Sequence, residues 1–329
     1  MSKKELVLKA FNNEKTERVP VGFWFHFLQD EFNSNALENE EFLKENIEGH
    51  KKFVESFNPD FVKIMSDGYF NYPNPLLKTA KSIKDLKNIQ SIGADHPWIT
   101  AQVNLVKKVI EVFPEDVLGF YNIFAPATYL KWGLKEKDQA LASFIKEDED
   151  LTKEVLTVIA NDIAILVKRI LEETKAGGIY FSSQEVQDDR ITAEDFVRVI
   201  KPSDLIVLKA ANSVTDNNIL HICGFEGAAN DISIYKDYPA KVINWAIGPE
   251  KLSLEDGKKY FDNKAVIAGF DNGFESILYT GNKEEITDKT KELLDAAGTT
   301  GVILGADCTV PRDIDINHLK WVREAAEAY

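Results

Sequence analysis

Eight times along this chain a short apolar run is followed by a segment of helical spacing, and that alternation constrains the fold more than any other feature. The apolar runs cover 19–25, 60–65, 117–124, 178–185, 217–224, 241–245, 265–271 and 301–308. Helical spacing marks 40–57, 98–113, 150–174, 192–211, 254–261, 283–297 and 315–328, with shorter segments near 83–86 and 228–235. Strands that alternate with helices are joined by right-handed crossovers and build a parallel sheet. Runs that are apolar throughout, instead of at every second residue, belong to strands covered on both faces. Eight such units in 329 residues predict an α/β fold, a closed (β/α)8 TIM barrel, preceded by a short helix over 2–13 that Ser2 caps. The alternative is an open doubly wound sheet, but no Gly-x-Gly-x-x-Gly turn follows the first strand. No low-complexity linker interrupts the chain, so 1–329 is read as one domain.

Composition narrows the partners. A formal net charge of -15 repels nucleic-acid phosphates and anionic lipid, whose binders carry basic patches. No apolar run approaches the length that spans a bilayer, and 1–5 leads into an amphipathic helix instead of a signal peptide's apolar core. Two cysteines make no disulfide framework. The expected location is the cytoplasm.

Barrel enzymes build their sites at the C-terminal ends of the strands. The polar residues there are His26, Asp67, Asn122 with Tyr129, Ser182 to Glu185, His221 with Cys223, Asn244, Asp271, and Asp307 with Cys308. His221 and Cys223 are two residues apart in one strand, so their side chains leave the same face. Cys308 ends the eighth run, on the same rim. One imidazole and two thiolates suit zinc, and three protein ligands leave the open fourth position of a catalytic site. The competing reading is two buried cysteines acting as small hydrophobes beside a hydrogen-bonded core histidine. Spacing alone leaves both open, because compact zinc signatures have two close pairs and this chain has one.

Four stretches resemble the uroporphyrinogen decarboxylase superfamily in order and spacing: Val19-Pro20-Val21, 124–129 with Ala125-Pro126-Ala127, His221-Ile222-Cys223-Gly224, and 303–311 with Gly305-Ala306-Asp307-Cys308. The resemblance spans nearly the whole chain. It implies either cofactor-free decarboxylation of a tetrapyrrole or zinc-dependent methyl transfer from a corrinoid protein to a thiol. His-x-Cys with a distant Cys is the zinc motif of the methyltransferase branch, and His221, Cys223 and Cys308 match it. The decarboxylase branch carries an arginine-rich loop after the first strand, where this chain has Phe25-His26-Phe27-Leu28-Gln29-Asp30-Glu31. A polycarboxylate substrate needs cationic, bidentate partners, and that loop has no arginine.

The expected activity is therefore a zinc-dependent methyltransferase. A thiol acceptor loses its proton at the zinc and attacks the methyl group of a corrinoid, delivered by a transient partner protein. Asp307 is assigned to orienting His221, or is a solvated loop acid. Glu185 and Asp271 are assigned to metal or to polar substrate groups, or cap helices. His26, Asn122 and Trp245 are assigned to substrate binding, or His26 to a structural role and Trp245, like Tyr129, to the core. Asp67 and Tyr129 match the catalytic aspartate and substrate-facing tyrosine of the decarboxylase branch, so a metal-free decarboxylase is the alternative. A third reading is a non-enzymatic barrel that binds a corrinoid or small ligand. A homo-oligomer is left open, and His50, His96 and His318 receive no role.

Overall fold

Seven of the eight apolar runs become strands of one sheet in the computed structural model of the chain, which describes residues 1–28, 35, 39–66, 71–134, 138–184, 189–224 and 229–329. They are β1 (Phe61–Ile64), β2 (Leu118–Phe124), β3 (Gly178–Ser183), β4 (Ile219–Ile222), β5 (Val242–Trp245), β6 (Ala265–Phe270) and β7 (Val302–Ala306). Each pairs in parallel with the next, in the order β1 to β7. The α-helices before, between and after them are α1 (Lys3–Phe11), α2 (Glu40–Phe57), α3 (Pro97–Glu111), α4 (Pro126–Gly133), α5 (Asp138–Glu147), α6 (Glu149–Glu173), α7 (Ala193–Asp195), α8 (Lys201–Asn212), α9 (Leu254–Tyr260), α10 (Ile277–Thr280), α11 (Lys283–Ala297) and α12 (Ile316–Ala328).

The first expected strand departs from the reading. Val21 makes a single parallel bridge to Leu304 of β7, through Leu304 N–H to Pro20 O at 2.9 Å and Gly22 N–H to Leu304 O at 3.0 Å. On its other side, Asp60 N–H donates to Val21 O at 3.3 Å. The run thus lies against both edges of a curled seven-stranded sheet without forming a ladder among the described residues. Pro20 has no N–H to give, and Val21 gives its own to the Asp60 carboxylate at 2.8 Å. Two successive donors are thus missing or diverted, and Gly22 N–H alone of the three reaches β7.

Asp60 therefore ties the two edges. It is buried and takes a bidentate pair from Arg18, at 2.7 and 2.5 Å, as well as the Val21 N–H. Asp60→Ala is expected to cost about 3–5 kcal/mol, because it leaves a half-buried guanidinium and a buried N–H without their acceptor. Chemical denaturation reads this directly; a loss under about 1 kcal/mol would contradict it.

Helix 192–211 is interrupted. A π-helical turn at Phe196–Ile200 precedes α8, where Pro202 would otherwise meet the carbonyl four residues back. α4 replaces the loop expected through Tyr129, since Pro126 sits at its first position, where a missing N–H costs nothing. α5 and α10 fall in segments to which the spacing gave no helix.

Two apolar layers result. Inward-facing Phe61, Met65, Phe120, Tyr180, Ile219, Val242, Ile267 and Ile303 form the inner cluster with Trp24, closed by Val7, Ala10 and Phe11 of α1. The alternate residues of the same strands, such as Val62, Ile64, Leu220 and Leu304, pack outward against the helices. Strand parity thus decides which side chains reach the middle of the sheet's curl. No helix among the described residues is long and apolar enough to cross a membrane.

Candidate metal centre

In β4, Ile219 belongs to the inner cluster, so His221 shares its inward face and Cys223 continues it. Cys308 lies two residues beyond β7, where Asp307 N–H still bonds Phe270 O at 2.8 Å. One ligand atom from each of His221, Cys223 and Cys308 lies within 4.8 Å of the others. The Cys308 sulfur is 3.5 Å from His221 Nε2. A sulfur about 2.3 Å and a nitrogen about 2.0 Å from one tetrahedral ion stand about 3.5 Å apart. The donor set fits zinc.

The histidine is also in the right tautomer. Asn244 of β5 donates through Nδ2 to two backbone carbonyls, Ile267 O at 2.7 Å and Ala306 O at 3.2 Å. Carbonyls only accept, so the amide orientation is fixed and Oδ1 must face the other way. Oδ1 meets His221 Nδ1 and the Tyr180 hydroxyl, which donates to it at 2.8 Å. His221 therefore carries its proton on Nδ1, and the Nε2 lone pair faces Cys308.

The sulfurs share that preparation. A hydrogen bond from Cys223 holds the Cys308 thiol well below its usual range against the opposing effect of burial, and the charge of Lys63 adds to it. Tyr180 is pushed the other way, by burial first and then by the two cysteines. It stays a protonated donor. Burial raises the Asp307 carboxyl to about 7, against hydrogen bonds from Ile247 and Gly248, with Asp271 and Cys308 pushing it further up. Its Oδ1 has no hydrogen-bond partner.

Two clamps hold the backbone behind these groups. Asn230 donates to Cys223 O at 3.0 Å and is itself gripped by Glu250, through N–H at 3.0 Å and Nδ2 at 2.7 Å. At the end of β1, Met65 N–H donates to His50 Nε2 at 3.1 Å, and Asn46 donates to Met65 O at 3.0 Å. His50→Leu is expected to strand that N–H and lower the unfolding free energy by about 1–3 kcal/mol, with metal uptake unchanged. An unmoved denaturation midpoint would count against this clamp.

The chain matches the uroporphyrinogen decarboxylase family (URO-D) over residues 61–329. It belongs to that family. Among solved structures, it superposes on a methyltransferase from Methanosarcina mazei at a TM-score of 0.71 and 17% identity, covering 100% of this chain and 99% of that one. A B12-independent methionine synthase from Shewanella sp. W3-18-1 gives 0.57 at 10% identity, covering 94% and 97%. A β-mannanase from the blue mussel Mytilus edulis gives 0.54 at 9% identity, covering 94% and 91%. At these identities the likeness establishes the fold alone. No match is found among curated proteins.

Within this URO-D family member the structure gathers His221, Cys223 and Cys308 with Asp307 beside them, but it redistributes other expected roles. Asn244, not Asp307, orients His221; Asp307 turns instead toward the Gly248 N–H, 3.5 Å away. Trp245 does not line the site. Its parity is opposite to that of Asn244, and it packs outward with its indole N–H on Leu252 O at 2.9 Å. A Cβ on Gly257 of α9 would come within 2.0 Å of its ring.

Tyr129 sits on α4 in an aromatic cluster with Trp98, Phe124 and Trp132, at centroid distances of 5.7, 6.0 and 6.5 Å. Asn122 is buried at the end of β2, where Ser182 donates to its Oδ1 at 3.0 Å and Ser66 to its backbone carbonyl at 2.7 Å. His26 lines a surface cleft with Lys52 and Arg312. Asp271 is exposed and accepts from Gly273 N–H at 2.6 Å. Asp67 and Glu185 lie outside the described residues. His96 caps α3, and His318 bonds Leu278 O at 2.9 Å.

Lys63 and Tyr180 were missed. The signal for Lys63 was present, since Phe61-Val62-Lys63-Ile64-Met65 puts one charge inside a run apolar on both faces.

Proposed function

We propose that this chain is a zinc-dependent methyltransferase that moves a methyl group from a methylated corrinoid protein to a thiol acceptor. The Asn244 amide fixes the Nδ1–H tautomer of His221 and leaves Nε2 bare beside Cys308. A core histidine also needs its Nδ1–H satisfied, so the observation that carries the reading is the two sulfurs gathered with Nε2 at ligating spacing. His221, Cys223 and Cys308 are the residues that hold the ion. Zinc held by these three would leave an open coordination position and would favour the thiolate form of an acceptor there.

The remaining work falls to the protein. Asn244 and Tyr180 keep His221 in its ligating orientation. The clamp from Asn230 and Glu250 fixes the Cys223 carbonyl, and so the strand end that presents the Cys223 sulfur. Asp307, buried with one oxygen unpartnered, offers a polar contact beside Cys308 for the acceptor. The 19–25 run is read as the eighth position of a closed barrel, placing His26 on the same rim. Fold likeness to a mannanase as well as to methyl-transferring enzymes means that the site, not the fold, supports this reading.

The test is turnover tied to metal. Protein purified under reducing conditions without chelator is expected to hold one zinc per chain and to methylate 2-mercaptoethanol from methylcobalamin. Full turnover by zinc-free protein would sink the proposal, as would a stoichiometric zinc site with no thiol alkylation in the presence of corrinoid donors.

A further inference from the structure

Lys63 stands in the middle of an apolar strand, and nothing in the fold or the proposed reaction has yet used it. It is 3% exposed and shares the inward face of β1 with Phe61 and Met65. Its Nζ lies 4.7 Å from the ring centroid of Tyr180 and 5.4 Å from that of Trp24. Among the described residues no carboxylate pairs with it. Two aromatic faces offset part of the cost of burying an ammonium, but a buried cation is ordinarily paired. Acidic residues outnumber basic ones 54 to 39 in this chain, so pairing partners are not scarce.

The path leads to the metal centre. The Tyr180 ring that Lys63 faces is 5.8 Å from the His221 ring, and its hydroxyl shares Asn244 Oδ1 with His221 Nδ1. The charge of Lys63 is also felt at Cys308. Charge balance then decides what Lys63 does. Two thiolates and a divalent ion sum to zero, and a Nδ1-protonated histidine is neutral. With the ion in place the ligand set is neutral, and Lys63 adds a positive charge beside it that an anion in the remaining position would face.

We propose that Lys63 is a specificity-determining residue, a fixed cation beneath the site that favours an anionic occupant, a thiolate, over a neutral one at the open position. This rests on the metal-loaded reading of the triad. A thiolate gains the attraction of Lys63 across a low-dielectric interior; a neutral ligand of similar size gains nothing. Lys63 touches neither sulfur nor imidazole in a way that ligates, so its loss leaves the three ligands in place.

The experiment uses cobalt(II) in place of zinc, because its visible absorption reports the ligands around it. Wild type, Lys63→Met, Lys63→Gln and Lys63→Arg are loaded with cobalt and titrated with 2-mercaptoethanol and, separately, with imidazole. Lys63→Met and Lys63→Gln are expected to take up cobalt and bind imidazole as wild type does, but to bind 2-mercaptoethanol at least about tenfold more weakly. Lys63→Arg, which keeps the charge, is expected to retain most of the thiol affinity. The two uncharged variants differ in polarity, so a folding defect in one leaves the comparison with the other. Unchanged thiol binding in a folded uncharged variant would overturn the proposal, as would equal losses for thiol and imidazole. A wild-type chain that takes up no cobalt overturns the metal reading itself, and that result is read before any thiol is added.

Discussion

Cys308→Ala is expected to empty the metal centre and, with it, to remove nearly all methyl transfer, while the protein stays folded. Zinc binding by four protein ligands is worth about 10–16 kcal/mol, so each ligand carries roughly 3 kcal/mol and its loss weakens binding about a hundredfold or more. The effect at this site is larger than that average suggests, since three candidate ligands gather among the described residues and His221 Nε2 faces the lost sulfur at 3.5 Å. Stability is little affected. Cys308 follows β7 and is partly exposed, so trimming its sulfur costs about 1 kcal/mol. Elemental analysis after gel filtration and a thermal melt separate the two effects: near-wild-type melting with no zinc is the expected pair of results. Full zinc in Cys308→Ala would remove Cys308 from the ligand set.

The sequence carried the triad because its evidence was chemical type plus strand parity. His221 and Cys223 at a spacing of two must share a face, and Cys308 at the end of another apolar run must share a rim if the sheet is parallel. Neither inference needs side-chain detail. The curl of the sheet was legible for the same reason, since seven runs kept their bounds to within a few residues. The eighth was not, because its ladder fails at two donors, and only one of those failures, Pro20, is written locally. The other depends on Asp60, 39 residues away, taking the Val21 N–H.

What supports the triad was harder to read. Asn244 matters through two carbonyls on β6 and β7, and nothing within β5 announces them. Asp307, adjacent to Cys308 in sequence, was assigned to His221 instead, but adjacency along a strand end sends successive side chains to different sides. Trp245 fails by the same rule, one residue from Asn244 and on the opposite face. His50 receives no role from the sequence, yet a helix that crosses the outside of the sheet can reach a strand end, as its bond to Met65 N–H does. Lys63 could have been questioned from sequence alone, because a lone charge in a two-sided apolar strand needs a partner or a purpose.

Asn244→Leu should have the second largest effect, and it acts on stability and metal together. Leucine fills nearly the same volume but satisfies none of four buried partners: the carbonyls of Ile267 and Ala306, the Tyr180 hydroxyl and His221 Nδ1–H. Each buried group left unsatisfied costs about 1–3 kcal/mol, and partial relaxation brings the expected total to about 3–5 kcal/mol. Freed from its acceptor, His221 exchanges tautomers and rotates, so metal affinity is expected to fall about 10–100-fold, the usual cost of losing a histidine's orienting partner. Asn244→Asp separates these effects. Its carboxylate still accepts from His221 and Tyr180, but it has no donor for the two carbonyls and places a negative charge against them. That variant is expected to lose stability comparably while keeping more of its metal affinity than Asn244→Leu. Isothermal titration of the metal-free proteins and chemical denaturation give the two quantities independently. If Asn244→Leu held zinc as tightly as wild type, the tautomer fixed by Asn244 would have no part in binding the ion, and the histidine would have to be oriented by its packing alone.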